Sequence, residues 1–328
     1  MVIIVTGEFR TVIDFDIPFA IPIPDGFYLV RIRGKTADIH VQKHPREYAG
    51  WKAVGGVAEL PFDKHGRFAY SHIAVTLSWK ADIRELGRKP LLIDAPPRDK
   101  VKEIAIEFVN RLIDVVRYVT GEYHLEHVTY PDIPAYDVYY SDGKQMLPVA
   151  KTLLSTGVGG IKITVGQPAP IPDSLRREIL ELLANEGELE LSRTLILNAK
   201  DAALSEDYRR ATLESVTALE VDLFRFIRER GRQLKIAEDK IKSFIVDVGL
   251  TGSLEVVLKM LTAGLEPPDE QLLSVCKGAI ATRNDILHRG LMQVPATEAE
   301  MRISRIESFL AYLKRVTEMM RTSQNASP

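Results

Sequence analysis

The segment YRRATLESVTALEVDLFRFI, residues 208–227, decides the fold of the C-terminal half of this chain. Its apolar stripe recurs at every third or fourth position, which is typical of a helix that buries one face in a core. That stripe consists of Tyr208, Thr212, Val216, Leu219, Leu223 and Phe226. Ser205 suits the N-cap, Glu206 and Asp207 suit the first turn, and Gly231 suits the end. We therefore predict a long helix that starts after Ser205 and ends at Gly231.

Further helix patterns cover the rest of residues 173–320, where strand patterns are nearly absent. They span residues 174–184, 254–261 and 268–288, and a last helix starts at Thr297. Thr297 and Glu300 form the Thr-x-x-Glu pattern of a capping box. We expect an all-α bundle over residues 173–320 and a frayed tail over residues 321–328.

Residues 1–165 have a different period, because their apolar and β-branched residues alternate as they do in strands. Strand patterns lie at residues 27–33, 68–77 and 135–140, and one long helix pattern lies at residues 99–119. The segment GQPAPIP, residues 166–172, has the composition of a Pro-rich linker. We therefore predict an α+β multidomain protein with a mixed, β-rich domain carrying one long helix, followed by the helical bundle.

The composition is that of a soluble globular protein, with 45% hydrophobic and 27% charged residues among 328. It excludes a mostly disordered chain. The single cysteine, Cys276, excludes an internal disulfide framework and a zinc site built from cysteines. No apolar run approaches the roughly 20 residues of a membrane span, and the N-terminus lacks the pattern of a secretory signal. We expect a cytoplasmic protein without a membrane segment, while a net charge of −2 leaves the class of partner open.

The most informative short motif is RNDILHRG, residues 283–290, near the end of a predicted bundle helix. An Arg-x4-His spacing arises easily by chance, but here an asparagine, one of five in the chain, follows the arginine. Arg283 also falls on the apolar stripe of its helix, where a guanidinium needs an anion. That stripe consists of Leu272, Cys276, Ala279, Ile280 and Leu287. Glu220 lies on the apolar face of the long preceding helix, so we predict a Glu220–Arg283 pair inside the bundle.

Two segments together, ATRNDILHRG at residues 281–290 and RRATLESVTALEVDLF at residues 209–224, resemble the HEPN superfamily, and its Apea-like branch most closely. The resemblance covers residues 173–320. It implies a metal-independent endoribonuclease with a catalytic site of Arg283, Asn284 and His288 at the interface of a homodimer. It further implies single-stranded RNA as the partner, no cofactor and no metal, and a role in defence or toxin-type systems.

In this reading Glu220 and Asp285 support the catalytic residues. Some nucleases of the superfamily carry a tyrosine two residues after the histidine, where this chain has Gly290.

The residue types suit RNA cleavage, because RNA carries its own nucleophile, the 2′-hydroxyl group. Histidine acts as a general acid or base near neutral pH, arginine binds a phosphate bidentately, and Asn284 shares a helical face with His288. Arg283 and His288 lie five residues apart, which is about 140° around a helix. One helix therefore does not direct both side chains at one phosphate. A site shared across a two-fold axis removes this difficulty, which favours a homodimer.

A non-catalytic binding or dimerisation scaffold is the alternative. In that case Arg283 only joins two helices through Glu220, and His288 only caps a helix end beside Gly290.

The basic stretch at residues 225–242 leaves two interpretations open. It is either an RNA-backbone contact or, more often for such a run, a solvated helix end. The RNA-contact interpretation assigns phosphate contacts to Arg228, Arg230, Arg232, Lys235 and Arg289. Metal binding by His124 and His127 is disfavoured, because no third ligand is evident. Residues 1–165 carry no family resemblance, and we expect them to bind a regulatory trigger or partner, or to select the target.

Overall fold

A computed structural model describes residues 3–17, 19–44, 70–86, 89–92, 95–133, 136–142, 171–265 and 267–325. The chain divides into two compact units, residues 1–188 and residues 189–328. Most of the predicted Pro-rich linker, residues 166–170, lies outside the described residues.

The described part of the first unit contains one antiparallel sheet of six strands. The strands are β1 (Ile3–Ile17), β2 (Gly26–Ile32), β3 (Lys35–His44), β4 (Tyr70–Leu86), β5 (Lys89–Leu92) and β6 (Tyr136–Ser141). Five of them lie in the order β2-β3-β4-β1-β6, and the short β5 pairs with the far end of β4. The predicted strands at 27–33, 68–77 and 135–140 correspond to β2, to the first part of β4 and to β6. Strands β1, β3 and β5 were not among the predicted strands.

One face of this sheet forms the core of the first unit. Successive inward side chains of β1, such as Phe9, Ile13 and Phe15, are at most 3% exposed, because alternate residues of a strand point to the same face. Helix α1 (Arg98–Thr120) packs against β1 and β2. Its bounds lie one residue beyond the predicted 99–119 at each end, between Pro97 and Gly121, which has a φ of 76°.

Helix α2 (Asp173–Ala184) corrects the predicted domain boundary. The helix itself was predicted at 174–184 but was assigned to the C-terminal bundle. It packs on α1 and β2, with Ile179 and Leu183 buried, and the first unit extends to residue 188. A pattern of apolar residues shows that a helix has a buried face, but does not show which core covers that face.

The described part of the second unit is helical. Its helices are α3 (Leu191–Leu204), α4 (Tyr208–Gln233), α5 (Glu238–Gly252), α6 (Leu258–Leu261), α7 (Glu270–His288) and α8 (Ala296–Asn325). A π-helical turn, Ser253–Val257, connects α5 to α6 where a plain helix was predicted. The core lies between α4, α7 and α8, with Leu219, Phe226, Cys276 and Phe309 at most 3% exposed. Burial raises the pKa of the Cys276 thiol to about 12.

Several predicted helix ends in the second unit are wrong. Asp207, not Ser205, caps α4, since its carboxylate accepts from the Arg210 N–H at 3.1 Å, and α4 continues past Gly231 to Gln233. Helix α8 begins at Ala296, so Thr297 lies inside the helix and cannot be its N-cap. The same helix runs on to Asn325, through residues that were predicted to be a frayed tail. Helices α3 and α5 were not predicted.

Candidate functional site

The C-terminal end of α7 holds Arg283, Asn284, Asp285 and His288 on one continuous helix. The helix ends just after His288, because Gly290 adopts a φ of 67° that favours glycine. The Asp285 carbonyl then accepts hydrogen bonds from the Arg289 N–H at 3.0 Å and the Leu291 N–H at 3.1 Å. This closed helix end fixes the position from which the His288 side chain projects.

This end of α7 packs against the beginnings of α4 and α8. Ile286, Val294 and Ala299 form a buried cluster, with Tyr208 and Leu213 of α4 packed against it. The predicted apolar stripe placed Leu287 in the core, but Leu287 is 51% exposed and Ile286 is 4% exposed. The stripe therefore shifts by one residue at the end of α7, which leaves Leu287 and His288 on the surface.

Arg283 lies at the edge of the core, not inside it. Its side chain is 30% exposed, whereas the sequence predicted burial. The guanidinium Nη1 donates to the Asn284 Oδ1 at 3.1 Å, and Nη2 lies 3.8 Å from Oε2 of Glu220, which is 35% exposed. The predicted Glu220–Arg283 contact is thus present, at a distance too long for a hydrogen bond. Arg283 keeps N–H groups that a bound anion can reach.

His288 is exposed at the last position of α7, one turn after Asn284. Along an ideal helix it lies about 7.5 Å beyond Arg283 and about 140° around the axis. The neighbouring Arg289 turns back to Asp285, at 3.0 Å between Nη1 and Oδ1, with 80% of its side chain exposed. The structure therefore brings Arg283, Asn284 and Glu220 together, while His288 and Arg289 project separately.

The basic residues at the C-terminal part of α4 are remote from this site. Arg228 and Arg232 follow Glu220 by eight and twelve residues, which corresponds to roughly 12 and 18 Å along the helix axis. Two of the predicted phosphate ligands have partners within the segment: Arg230 donates to Gln233 at 3.1 Å, and Arg232 to Glu238 at 2.9 Å. Lys235 is exposed, with a φ of 59°.

Arg302 of α8 is a buried cationic residue that was not predicted from the sequence. It is 7% exposed, it forms an ion pair with Glu298 one turn earlier, and its Nη2 lies 3.9 Å from where a Cβ on Gly278 of α7 would stand. The Glu298-x3-Arg302 spacing was a usable signal, because residues four apart face each other on a helix.

A second group, the Asp222 cluster, comprises Asp222, Arg225, Glu190 and Ser192. Oδ1 of Asp222 lies 2.7 Å from Nη2 of Arg225, which also pairs with Glu190. The Asp222 side chain is 8% exposed, and burial raises its pKa, while a Ser192 hydrogen bond and the Arg225 charge oppose that rise. The Asp222–Arg225 pair has the i,i+3 spacing of neighbours on one helix, but the contacts with Glu190 and Ser192, at the start of α3, are tertiary and have no local sequence signal.

The two histidines considered as metal ligands have carboxylate partners instead. Nε2 of His127 lies 2.7 Å from Oδ1 of Asp114, and Nδ1 of His124 lies 3.1 Å from Oε2 of Glu122. Within the described ranges, no three histidine, cysteine, aspartate or glutamate side chains are grouped closely enough to hold a metal ion. Across those same ranges, no helix has both the length and the apolar character needed to cross a membrane.

Comparison of the chain with protein-family models, with curated proteins and with solved structures finds no match.

Proposed function

We propose that this protein is a metal-independent endoribonuclease that cleaves single-stranded RNA at the C-terminal end of α7. The observation that carries the proposal is the accessible placement of Arg283 and His288. The earlier part of α7 is packed in the core through Leu273, Cys276 and Ile280. The side chains of Arg283 and His288, at the end of the same helix, reach solvent. The resemblance of the motif to the HEPN superfamily supplies the reaction type.

The chemistry follows from the two side chains. A histidine base takes the proton of the RNA 2′-hydroxyl group, whose oxygen attacks the adjacent phosphorus. The P–O2′ bond forms and the P–O5′ bond breaks, so that a 2′,3′-cyclic phosphate and a 5′-hydroxyl group result. The same histidine, protonated in that step, then gives the proton to the leaving 5′ oxygen. Arg283 stabilises the negative charge that develops on the phosphoryl oxygens.

Asn284 and Glu220 act on Arg283 as positioning residues. The Asn284 Oδ1 accepts from one guanidinium nitrogen and thereby orients the fork, while Glu220 lies on the other side at 3.8 Å. The contact with Glu220 is about one-third exposed, so its contribution to stability is about 0–1 kcal/mol. An RNA phosphate therefore competes for Arg283 against a weak internal partner.

A homodimer completes the site in this proposal. Arg283 and His288 point in directions about 140° apart on one helix, so the arginine of one copy would act with the histidine of the other. Exposed apolar side chains close to His288 in the chain suit such a contact: Leu287 is 51% exposed, Leu291 37% and Met292 70%. Two copies related by a two-fold axis would bury these side chains and form two equivalent sites.

The first experiment incubates the purified protein with mixed RNA in excess EDTA, beside Arg283→Ala and His288→Ala. Arg305→Ala, on the exposed surface of α8, is the matched control. We expect products with 2′,3′-cyclic phosphate ends from the wild type and the control, and none from the two site variants. Cleavage that persists in both folded site variants would exclude Arg283 and His288 as catalysts.

Mixing the two inactive variants tests the shared site. If each site takes Arg283 from one copy and His288 from the other, every heterodimer has one intact site. Random exchange in an equal mixture then restores about a quarter of the wild-type activity. An active dimeric wild type without such restoration would place both residues of a site in the same copy.

A non-catalytic scaffold is the second candidate, and the Glu220–Arg283 contact favours it, since that contact joins α4 to α7. In a scaffold, Glu220→Gln would lower stability slightly and affect nothing else. In the nuclease, the same change frees Arg283 and tightens RNA binding. Fluorescence anisotropy with a labelled RNA in EDTA distinguishes the two: unchanged affinity supports the scaffold.

A further inference from the structure

A cavity of about 510 Å³ lies in the second unit, between the start of α4 and the loop that joins α7 to α8. Its volume falls within the roughly 300–1,000 Å³ of small-molecule sites. The lining residues come from two short segments, residues 206–209 and residues 292–295. The second segment follows directly on Leu291, whose N–H bonds to the carbonyl of Asp285 in the last turn of α7. The cavity therefore borders the helix end that carries His288.

The apolar part of the cavity wall is fixed by the core beneath it. Tyr208 packs against the buried cluster of Ile286, Val294 and Ala299, and Val294 is 6% exposed. Met292, which is 70% exposed, belongs both to this cavity and to the apolar surface proposed for the dimer contact. Apolar and aromatic walls of this kind suit a flat ring, because nucleobases stack on such side chains.

The guanidinium group of Arg209 lines the cavity without an oxygen acceptor. Its Nη1 donates to the Sδ of Met292 at 3.7 Å, and a thioether sulfur is a weak acceptor. Its Nε is buried and has no hydrogen-bond partner among the described residues. Since arginine carries its N–H groups in a planar fork, this side chain keeps outer donors for a ligand with adjacent acceptors.

Glu206 supplies an acceptor to the same cavity. Within the part of the chain that the structure describes, its carboxylate forms no hydrogen bond or ion pair, whereas the Asp207 carboxylate is occupied as the N-cap of α4. Glu206 has a φ of 60°, which favours glycine or asparagine. Backbone hydrogen bonds hold this turn: the Glu206 N–H donates to the Ala203 carbonyl at 3.0 Å, and the Asp207 N–H to the Ala202 carbonyl at 2.8 Å. The Glu206 side chain therefore starts from a fixed backbone position.

The charges and the hydrogen-bonding groups together define the ligand. Two carboxylates against one guanidinium disfavour an anion in the cavity and suit a neutral ring that offers both donors and acceptors. Guanine has two such edges, since its N1–H and N2 amino group donate side by side, while O6 and N7 accept side by side. A carboxylate binds the first edge bidentately, and an arginine binds the second. Adenine, cytosine and uracil each lack at least one of these edges.

We propose that this cavity binds a guanine base, with Glu206 on the N1–H and N2 amino edge and Arg209 on O6 and N7. Gln293 lines the same cavity, and its amide group can donate to or accept from the base. As a statement about RNA, this inference rests on the proposed nuclease, because the bound base then lies beside the scissile phosphate and directs cleavage to guanosine. The binding of guanine itself requires no cleavage.

Calorimetric titration of the full chain with the 5′-monophosphates of the four nucleosides tests the proposal, because these ligands differ only in the base. We expect saturable binding of GMP, at least about tenfold tighter than that of AMP, CMP or UMP. Glu206→Gln and Arg209→Ala should each weaken GMP binding about tenfold, because each removes one bidentate contact. Arg209 has no oxygen partner within the described residues, so its removal breaks no ion pair of the fold.

The matched control is Arg210→Ala, which removes the neighbouring arginine, 56% exposed and outside the cavity, and should leave the Kd for GMP unchanged. Equal affinity for the four nucleotides overturns the proposal, and so does the absence of GMP binding. GMP binding that neither Glu206→Gln nor Arg209→Ala weakens overturns it as well.

Mapping the ends of RNA fragments separates this inference from the proposed nuclease. We expect the wild type to cut next to guanosine, and Arg209→Ala to lose that preference. Selective GMP binding by a chain that cuts no RNA contradicts the nuclease and supports the guanine site. Cleavage without base preference, by a chain that does not bind GMP selectively, contradicts the guanine site and supports the nuclease.

Discussion

Two arginine–carboxylate pairs of helix α4 differ in distance and in the burial of the carboxylate. At the end of α7, Arg283 and Glu220 are 3.8 Å apart and about one-third exposed. In the Asp222 cluster, Arg225 lies 2.7 Å from a carboxylate that is 8% exposed. Exposed pairs are weak and screened, whereas a buried charge depends on its partner. We therefore expect the Asp222 cluster to stabilise the packing of the helices. The weaker Arg283–Glu220 pair leaves Arg283 available to a ligand.

The two pairs also show that a perturbed pKa is not by itself a sign of a functional site. Perturbed pKa values often mark functional sites, but buried structural ion pairs produce them as well. In the second unit the pKa of Asp222 is raised, and Asp222 belongs to a group of residues that pair with one another. The candidate catalytic residues are recognised by their motif and accessibility instead.

The largest expected effect is the loss of RNA cleavage in His288→Ala, with almost no change in stability. His288→Ala should reduce RNA cleavage at least about 100-fold, which is the usual contribution of a general acid or base. The free energy of unfolding should change by less than about 0.5 kcal/mol, because the side chain is exposed. Urea unfolding and initial cleavage rates measure the two quantities. A variant that loses both together would mean that His288 is structural, like the Asp222 cluster.

The next largest effect is on stability at the Asp222 cluster. Arg225→Ala leaves a buried carboxylate without its cationic partner and should lower the free energy of unfolding by about 2–3 kcal/mol. Arg283→Ala is the matched change in the exposed pair, and should cost about 0–1 kcal/mol. Chemical denaturation of both variants at neutral pH measures the difference. Equal losses would contradict the distinction between the two pairs.

Two glycines, one inside α7 and one just after it, offer smaller effects of opposite sign. Gly290→Ala places a side chain at a φ of 67° and should cost about 1 kcal/mol, loosening the helix end that presents His288. Gly278→Ala lies inside α7, where the new Cβ would meet only Nη2 of Arg302, at 3.9 Å, and should add about 0.5–1 kcal/mol. Thermal unfolding of the two variants compares them. Stabilisation by Gly290→Ala would show that the turn after His288 does not need a left-handed residue.

The smallest effect is a pH dependence confined to the Asp222 cluster. The folded protein raises the pKa of Asp222 above its ordinary value of 3.8, mainly by burial, so the folded state binds this proton more tightly than the unfolded state. The resulting stabilisation is complete below that value and is lost as the pH rises through the folded pKa. The stability of the wild type relative to Asp222→Asn should therefore decrease as the pH rises above about 4. An increase over that range would mean that the Arg225 charge outweighs burial.

The sequence predicted an element accurately where residues next to it in the chain set its ends. Helix α1 was found to within one residue at each end, because its apolar stripe lies between Pro97 and Gly121. Strand β1 was not among the predicted strands, although Phe9, Ile13 and Phe15 share one face and the charged Arg10 and Asp14 lie on the other. The assignment of α2 to the first unit depends on packing with α1 and β2, which no local pattern contains.

The sequence predicted one contact of the candidate site but not the exposure of its arginine. Spacing along two helices was enough to propose the Glu220–Arg283 contact, since each residue lies on the face toward the core. The exposure of Arg283 was not foreseen, because the stripe of α7 shifts from Leu287 to Ile286 where the helix meets α4 and α8. The Asp222 cluster was out of reach, since Glu190 and Ser192 come from a region of the sequence about 30 residues away and their contact is tertiary.

The reactivity of the buried Cys276 thiol can report how often the helical bundle opens. It is the only cysteine in the chain, it lies in the middle of α7, and it is 0% exposed. A thiol-directed dye can react only in the moments when α7 lifts from α4 and α8, so the labelling rate relative to a free thiol gives the population of that opened form. The same helix carries Arg283 and His288. The natural cysteine, with no introduced residue, therefore reports how often the helix that holds them detaches from the core.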